Sequence, residues 1–222
     1  MILTEEQTLV RDMARGFARE VLAPNAAQWA REHAFPADAI RQMGELGLLG
    51  MLVPPEWDGA GADHVAYALA LEEIAAGDGA TSTIMSVHNS VGCMPILKFG
   101  TEAQKERFLR PMARGEKLGA FCLTEPQAGS DAAAIRCRAK RVDGGWQIDG
   151  AKQFITSGKT AQVAIVFCVT DPDAGKKGIT GFIVPTDTPG YGGARVGEKV
   201  GQSASETALV QIAREKLQRA DD

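Results

Sequence analysis

The chain has 222 residues, 45% of them hydrophobic and 23% charged, and 24 basic against 28 acidic residues give a net charge of −4. These values are ordinary for a globular protein with one large or two modest domains. Because the chain is slightly acidic and contains no basic block, nucleic acid and an anionic membrane are excluded as expected partners.

The N-terminus and the cysteines indicate the cellular compartment. The opening residues, MILTEEQTLV, include acidic residues before any long apolar stretch, so no secretory signal is predicted, and no apolar run is long enough to cross a bilayer. The spacing of a metal site is absent among the four cysteines, which are Cys93, Cys122, Cys137 and Cys168. The sequence therefore predicts a cytoplasmic protein with free thiols and no metal site.

The first half of the chain has the apolar spacing of amphipathic helices. Thr4 and Gln7 form a capping box at the start of a long first helix, in which Pro24 is expected to cause a kink or an interruption. A second helix is predicted with Pro36 in its first turn and Gly47 at its end. Two more apolar helices follow the loop VPPEWDGAGAD, and another capping box opens the segment TEAQKERFLRPMARG.

After Gly115 the hydrophobic period changes to the period of two that is typical of strands. Short β-rich runs alternate with turns, and RCRAKRV-DGG-WQIDG is typical of a β-hairpin. Because runs of strands follow runs of helices and do not alternate with them, a Rossmann sheet is disfavoured. The predicted fold class is α+β: an N-terminal all-helical domain over residues 1–116, a small antiparallel β-barrel or sandwich over residues 117–214, and a charged tail over residues 215–222.

The common catalytic motifs are missing from the sequence. GAGADH at residues 59–64 lacks the third glycine of a dinucleotide fingerprint, and no phosphate-binding loop of the G-x-x-x-x-G-K-[ST] type occurs. The three histidines, His33, His64 and His88, are scattered along the chain, and no Ser or Cys nucleophile is paired with any of them. His88 on an apolar helix is expected to be a hydrogen-bonded structural residue. No catalytic residue is assigned.

Two segments combine a β run with an end that contains glycine and hydroxyl groups: FCLTEPQAGSD at residues 121–131 and GAKQFITSGKT at residues 150–160. Hydroxyls such as that of Thr124, the unhindered backbone at Gly129 and the ring of Phe154 suit a planar ligand with an anionic linker. A flavin dinucleotide meets this description. The alternative is that both segments are β-turns at the rim of a barrel, where Thr and Ser are common. The residues alone leave both interpretations open.

Four motifs resemble the middle, flavin-binding part of the acyl-CoA dehydrogenase family. In chain order they are CLTEPQAGSD, AKQFITSG, KKGITGFIVPTDTPG and KVGQSASET. The preceding helices, including MSVHNSVGCMPILKFGTEAQKERFLRPMARGE, resemble the N-terminal helical domain of that family. The similarity extends to about Thr207, and several ordered motifs together are far more specific than any one of them.

This resemblance implies an FAD site made by both segments. Leu123 and Thr124 would meet the edge of the flavin ring. Gly129 and Ser130 would lie near the pyrophosphate, and Ser130 would also touch the thioester arm of acyl-CoA. Phe154, where many members have Trp, would form an apolar wall against the ring. The implied cofactor-binding set is Phe121, Cys122, Leu123, Thr124, Gly129, Ser130, Phe154, Ile155 and Thr156.

The implied reaction is α,β-dehydrogenation of a short- or medium-chain acyl-CoA thioester. A carboxylate removes the α-proton, the β-hydrogen leaves as hydride to FAD, and an electron-transfer flavoprotein accepts the electrons. Glu72, Glu73, Glu125 and Asp131 are not assigned as this carboxylate, because helix faces, turn caps and solvated positions are commoner roles for such residues.

Family members continue with a second helical domain that carries the catalytic glutamate and most of the tetramer interface. The resemblance therefore predicts a truncated chain without that glutamate, with little or no turnover of its own, and the homo-oligomer of the family is not expected to form. The alternative is a non-catalytic flavin- or CoA-binding remnant, or one subunit of a split enzyme.

Overall fold

The computed structural model describes residues 2–195, 197 and 199–218. The chain divides into two compact units. The helical unit consists of Met1–Lys117 together with Glu198–Ser205, and the β unit consists of Leu118–Gly197 together with Glu206–Asp222.

The helices of the helical unit begin and end at the signals that the sequence contains. The predicted capping boxes, Thr4 with Gln7 and Thr101 with Gln104, are both formed. Gly47, with a φ of 75°, follows the second predicted helix and ends it, as expected. The helices are α1 (Glu5–Phe17), α2 (Ala23–Glu32), α3 (Ala37–Glu45), α4 (His64–Gly77), α5 (Gly79–Val87), α6 (Met94–Phe99), α7 (Glu102–Gln104) and α8 (Arg110–Ala113).

Three prolines inside helical stretches are each preceded by a π-helical segment. Pro24, Pro95 and Pro111 stand at the start of α2, α6 and α8. The π segments are Ala18–Leu22, His88–Cys93 and Lys105–Leu109. Proline lacks an N–H and crowds the carbonyl of the preceding turn, so a wider π turn allows the helix to continue. The irregularity predicted at Pro24 is therefore a π segment, and the chain stays helical from Glu5 to Glu32.

Polar contacts fix the helices around an apolar core. Arg15 on α1 and Glu73 on α4 form a bidentate ion pair with N–O distances of 2.6 and 3.0 Å. The buried Asn89 side chain accepts from the Met51 N–H and donates to the Leu48 carbonyl, both at 2.9 Å. The largest fully buried apolar side chains of this unit are Leu22, Met43, Leu48, Leu49, Ile74, Ile84, Met85, Ile96, Leu109 and Met112.

His88 is buried and hydrogen-bonded, as the sequence predicts. Its Nε2 lies 3.0 Å from the Met112 carbonyl oxygen and 3.6 Å from the Cys93 sulfur. Burial lowers the pKa of His88 to about 4, against hydrogen bonds to backbone groups of Met112 and Leu49 that raise it. Burial also raises the pKa of the Cys93 thiol. Both side chains are therefore neutral near pH 7, which fits a place in the helical core.

The β unit is a curled, mostly antiparallel sheet. Its strands are β1 (Gly119–Cys122), β2 (Arg138–Val142), β3 (Gly145–Thr156), β4 (Val163–Val169), β5 (Ile179–Pro185), β6 (Tyr191–Arg195) and β7 (Thr207–Gln218). The strand order is β1-β4-β2-β3-β7-β6, and β5 also pairs with β4. The pairing of β1 with β4 and one bridge between β2 and β4 are parallel. Together with the helical unit, this sheet confirms the α+β fold class.

The predicted hairpin is formed by β2 and β3. The strands are joined by Asp143 and Gly144, and Gly144 has a φ of 70° that favours glycine. Val142 pairs with Gly145, so the third residue of the predicted turn already belongs to β3.

The cysteines are buried free thiols, as predicted. The sulfur atoms of Cys137 and Cys168 lie 3.5 Å apart in the β unit. Within the described ranges no group of three His, Cys, Asp or Glu side chains is placed to hold a metal ion. Among the helices of that same part of the chain, none has both the length and the apolar character needed to cross a membrane.

Candidate functional site

A β-bulge interrupts β3 within the second predicted segment. The register of β3 against β7 shifts between Lys152 and Ile155, so that Gln153 and Phe154 together face one residue of β7. Phe154 has a φ of 59°, in the left-handed region that bulky residues rarely adopt. Such a conformation costs on the order of 1–3 kcal/mol and is common at ligand sites.

The bulge turns the ring of Phe154 out of the sheet. Phe154 is 61% exposed, whereas the next residue, Ile155, is only 2% exposed. Burial of a large apolar side chain is favourable. A phenylalanine with a strained backbone and an exposed ring therefore requires an explanation outside the packing of this unit. We interpret the ring as a surface presented to a ligand or to another part of the protein.

The loop after β1 is tied to the bulge through the backbone. The N–H of Gln153 donates to the carbonyl of Thr124 at 2.8 Å, in the stretch where the register of β3 with β7 is broken. β1 itself runs parallel to β4, with Phe121 paired to Ile165. The two segments singled out in the sequence therefore lie side by side where Leu123 and Thr124 meet β3.

A buried ion pair supports this backbone contact. Lys152, which is 0% exposed, donates from Nζ to Glu125 Oε1 at 2.7 Å and to the Leu123 carbonyl at 3.1 Å. Glu125 is 4% exposed and also accepts from the backbone N–H groups of Arg136 and Cys137, at 2.6 and 2.9 Å. Burial alone would raise the pKa of Glu125, but Lys152 and these backbone donors outweigh it and lower the pKa. Glu125 is a charged carboxylate whose oxygens are fully engaged.

The two carboxylates of the first segment differ from each other. The expectation of a capping or solvated Glu125 is wrong, because Glu125 is buried against Lys152. Asp131 does cap a turn, since its Oδ1 accepts from the Ala133 N–H at 3.2 Å at the start of the 3₁₀ turn Ala132–Ala134. Glu125 is therefore not free to act as a general base, whereas Asp131 is exposed and holds its turn through Oδ1.

A second carboxylate that the sequence analysis missed, Glu206, secures the turn after β3. Its Oε2 accepts from the N–H groups of Lys159 and Thr160, both at 3.1 Å, and from the Thr160 hydroxyl at 3.1 Å. Its backbone carbonyl accepts from the Ser157 N–H at 3.0 Å. Because Ser157 has a φ of 57°, these contacts hold a turn that is otherwise unfavourable. Glu206 belongs to the motif KVGQSASET, and this motif is the sequence feature that could have pointed to it.

The remaining predicted residues differ in exposure. The half-buried ones are Phe121, Leu123, Thr124 and Thr156. The side chain of Cys122 is fully buried, so only its backbone can reach a ligand. Gly129 and Ser130 are exposed, and a Cβ added at Gly129 would meet nothing within 4 Å. Packing within the described residues therefore does not require glycine there, and the space beside this backbone is open.

These residues fit a flavin dinucleotide by their chemistry. Phe154 offers an apolar ring face, and Thr124, Ser130 and Thr156 offer hydroxyl groups that can donate or accept hydrogen bonds. The open backbone at Gly129 allows a close approach by a phosphate. An apolar face with a few polar groups is the usual composition of a cofactor site.

An open groove elsewhere in the β unit has a different character. Its lining consists of Arg136, Arg138, Lys140, Gln147 and Asp149. Small-molecule sites are mostly apolar and enclosed, whereas this lining is charged and lies beside the β2–β3 hairpin. The groove contains none of the predicted site residues, and we assign it no part in the site.

Comparison with known proteins identifies the family. The acyl-CoA dehydrogenase N-terminal domain matches residues 4–116, and the acyl-CoA dehydrogenase middle domain matches residues 120–214. The chain belongs to the acyl-CoA dehydrogenase family, and the resemblance carried by the four motifs is confirmed.

Individual relatives agree with this assignment. The chain is 45% identical over 206 residues to the mitochondrial short-chain specific acyl-CoA dehydrogenase of Rattus norvegicus, a match that covers 93% of this chain and 50% of the relative. Butyryl-CoA dehydrogenase from Megasphaera elsdenii superposes with a TM-score of 0.95 at 36% identity, over 99% of this chain and 58% of that one. A glutaryl-CoA dehydrogenase from Mycobacterium smegmatis in complex with FADH2 gives a TM-score of 0.92 at 35% identity, over 98% of this chain and 55% of that one. The chain spans about half the length of the curated relatives it matches.

Proposed function

We propose that this chain binds FAD at the two tied segments and serves an enzyme that dehydrogenates a short-chain acyl-CoA thioester between its α and β carbons. The observation that carries the proposal is the ring of Phe154, which is 61% exposed and held at a φ of 59°. The bulge that presents this ring is hydrogen-bonded to Thr124, in the other segment. The two segments, joined by this hydrogen bond, therefore present an aromatic face and hydroxyl groups side by side.

The proposed roles follow the chemistry of each residue. Leu123 and Thr124 meet the edge of the flavin ring, Thr124 donates a hydrogen bond to it, and Thr156 lies by the reactive nitrogen edge of the ring. Gly129 and Ser130 lie near the pyrophosphate, which the open space beside Gly129 supports. The other members, Phe121, Cys122 and Ile155, contribute through the backbone and through the packing beneath the site.

FAD, when bound, supplies the acceptor for the hydride that leaves the β carbon. Phe154 excludes water from one face of the site, and the hydroxyls of Thr124 and Thr156 orient the ring. The hydroxyl of Ser130, which is exposed, holds the thioester arm of the substrate. Donors of this kind act by being placed before the reaction where charge develops.

The carboxylates of the β unit near these segments have other tasks. Glu125 is paired with Lys152, Glu206 holds the turn after β3, and Asp131 caps a 3₁₀ turn. We assign none of these three as the base that removes the α-proton.

The substrate class, the electron acceptor and the compartment are part of the same proposal. A short acyl chain is supported by the names of the relatives, which are short-chain specific, butyryl-CoA and glutaryl-CoA dehydrogenases. An electron-transfer flavoprotein is proposed as acceptor on the ground of the family alone. The buried free thiols support a reducing compartment such as the cytoplasm.

Titration of the purified chain with FAD, followed by flavin fluorescence, tests the proposal. Phe154→Ala is expected to weaken FAD binding about two- to tenfold, because an aromatic pair is worth about 0.5–1.5 kcal/mol and tenfold is about 1.4 kcal/mol. Phe99→Ala is the matched control, since Phe99 of α6 is 85% exposed in the helical unit, and it should leave the affinity unchanged. A parent chain that binds no FAD, or a Phe154→Ala variant that binds as tightly as the parent, would show the proposal to be wrong.

A dye-linked assay with butyryl-CoA separates the enzyme from the binding-only alternative. Turnover by the FAD-loaded chain supports a dehydrogenase. FAD binding without turnover supports the binding-only alternative.

A further inference from the structure

Two consecutive residues of β3 hold three consecutive residues of the loop after β1. The ammonium of Lys152 donates to the Leu123 carbonyl at 3.1 Å and to the Glu125 carboxylate at 2.7 Å. The N–H of Gln153 donates to the Thr124 carbonyl at 2.8 Å. The loop is thus attached to β3 at every residue from Leu123 to Glu125.

Glu125 also closes the far side of this loop. Its N–H donates to the Ala128 carbonyl at 2.9 Å, and its carbonyl accepts from the Ala128 N–H at 3.1 Å. Its carboxylate accepts from the Gln127 side chain and from the Arg136 N–H, both at 2.6 Å. One buried side chain therefore joins the loop, its turn and the stretch that leads into β2.

The direction of one peptide group follows from these contacts. In a trans peptide the C=O and the following N–H point in opposite directions, and no cis peptide bond occurs in the described backbone. Because the Leu123 carbonyl points at the buried ammonium of Lys152, the N–H of Thr124 points away from it. A hydrogen-bond donor of fixed direction is presented on the side opposite to the ion pair.

We infer that Lys152 and Glu125 are positioning residues for the FAD site, which hold the Leu123–Thr124 peptide in the orientation that meets the flavin. This inference rests on the proposed function. A buried ion pair loses hydration that an apolar pair of similar volume does not lose, so it is a poor device for stability alone. A buried ion pair is well suited to orienting backbone groups, because the ammonium supplies a hydrogen-bond donor to a buried carbonyl.

The test uses the full chain and two variants, Lys152→Met and the double variant Glu125→Gln/Lys152→Met. The double variant leaves no unpaired buried charge and keeps the net charge of the parent. We expect its urea midpoint to recover toward the parent value from that of Lys152→Met. Its affinity for FAD is expected to remain about tenfold or more below that of the parent, because the Leu123 carbonyl has lost its donor.

Hydrogen exchange at the Gln153 amide supplies a readout that does not need FAD. This amide is expected to exchange faster in the double variant than in the parent, since the Thr124 carbonyl is no longer held in place. The matched control is Arg41→Met/Glu45→Gln, which removes an exposed ion pair on α3 and likewise keeps the net charge of the parent. The control should leave FAD affinity, the urea midpoint and the Gln153 amide unchanged.

The outcomes are distinct. If the double variant recovers both its urea midpoint and its FAD affinity to within about twofold of the parent, the pair is only structural and the inference is wrong. If the double variant recovers its midpoint but not its affinity, the inference is supported. A parent chain that binds no FAD overturns the proposed function, and the inference falls with it.

Discussion

Lys152→Met is expected to lower the free energy of unfolding by about 3–5 kcal/mol at pH 7. The substitution keeps most of the apolar stem but leaves the Glu125 carboxylate buried, at 4% exposure, without its cation. A buried charge that loses its cationic partner is strongly destabilising, whereas loss of an exposed pair costs little. Urea unfolding followed by circular dichroism measures the change.

The control for this prediction is Lys177→Met, at an exposed position of the β unit. Its free energy of unfolding should stay within about 0.5 kcal/mol of the parent. The difference in free energy of unfolding between Lys152→Met and the parent should also shrink as the pH falls toward 4, because protonation of Glu125 removes the unpaired charge. A deficit under about 1 kcal/mol at pH 7 would contradict the buried ion pair.

Through His88, the protein is expected to lose about 3 kcal/mol of stability between pH 7 and pH 4. The pKa of this side chain is about 6.5 in the unfolded chain, and burial lowers it to about 4 in the folded one. At a pH between these two pKa values, His88 binds a proton in the unfolded state but not in the folded state. The stabilisation is therefore complete above about pH 6.5 and is lost as the pH falls toward 4, at about 1.4 kcal/mol for each pKa unit of difference.

Two variants isolate this contribution from those of the carboxylates. His88→Gln keeps a donor for the Met112 carbonyl but cannot titrate, so its loss of stability between pH 7 and pH 4 should be smaller than that of the parent by about 3 kcal/mol. His64→Gln, at an exposed position of α4, should lose as much as the parent. Equal losses in His88→Gln and the parent would contradict the buried neutral histidine. Unfolding free energies from urea titrations at the two pH values provide the measurement.

The features that the sequence predicted correctly are those set by near neighbours. The capping boxes of Thr4 and Thr101 depend on residues three positions apart, and the hairpin turn at Gly144 depends on two adjacent residues. The change of hydrophobic period near Gly115 was enough to separate helices from strands. These rules act within a few residues, so they can be read along the chain.

The site itself depends on pairings between distant residues. Lys152 and Glu125 are 27 positions apart, and only the fold reveals that a lysine in a strand and a glutamate in a turn share one interior. The bulge at Phe154 likewise depends on the register of β3 against β7, which no local pattern specifies. Phe154 was singled out by its aromatic character and by the family resemblance, while its strained backbone and exposed ring became visible only in the structure.

The prolines show an intermediate case. A proline inside a helical pattern predicts an irregularity, and each of Pro24, Pro95 and Pro111 has one. The sequence could not tell whether the helix would end, bend or widen, because this depends on whether packing favours continuation.

Amide hydrogen exchange of the full chain with and without FAD tests most directly whether residues 121–131 and 150–160 form one flavin site. We predict slower exchange in both segments when FAD is added, including the amides of Thr124, Gly129 and Thr156, and no change in the β2–β3 hairpin at residues 138–147. Protection of one segment alone, or protection in neither, would contradict a shared site.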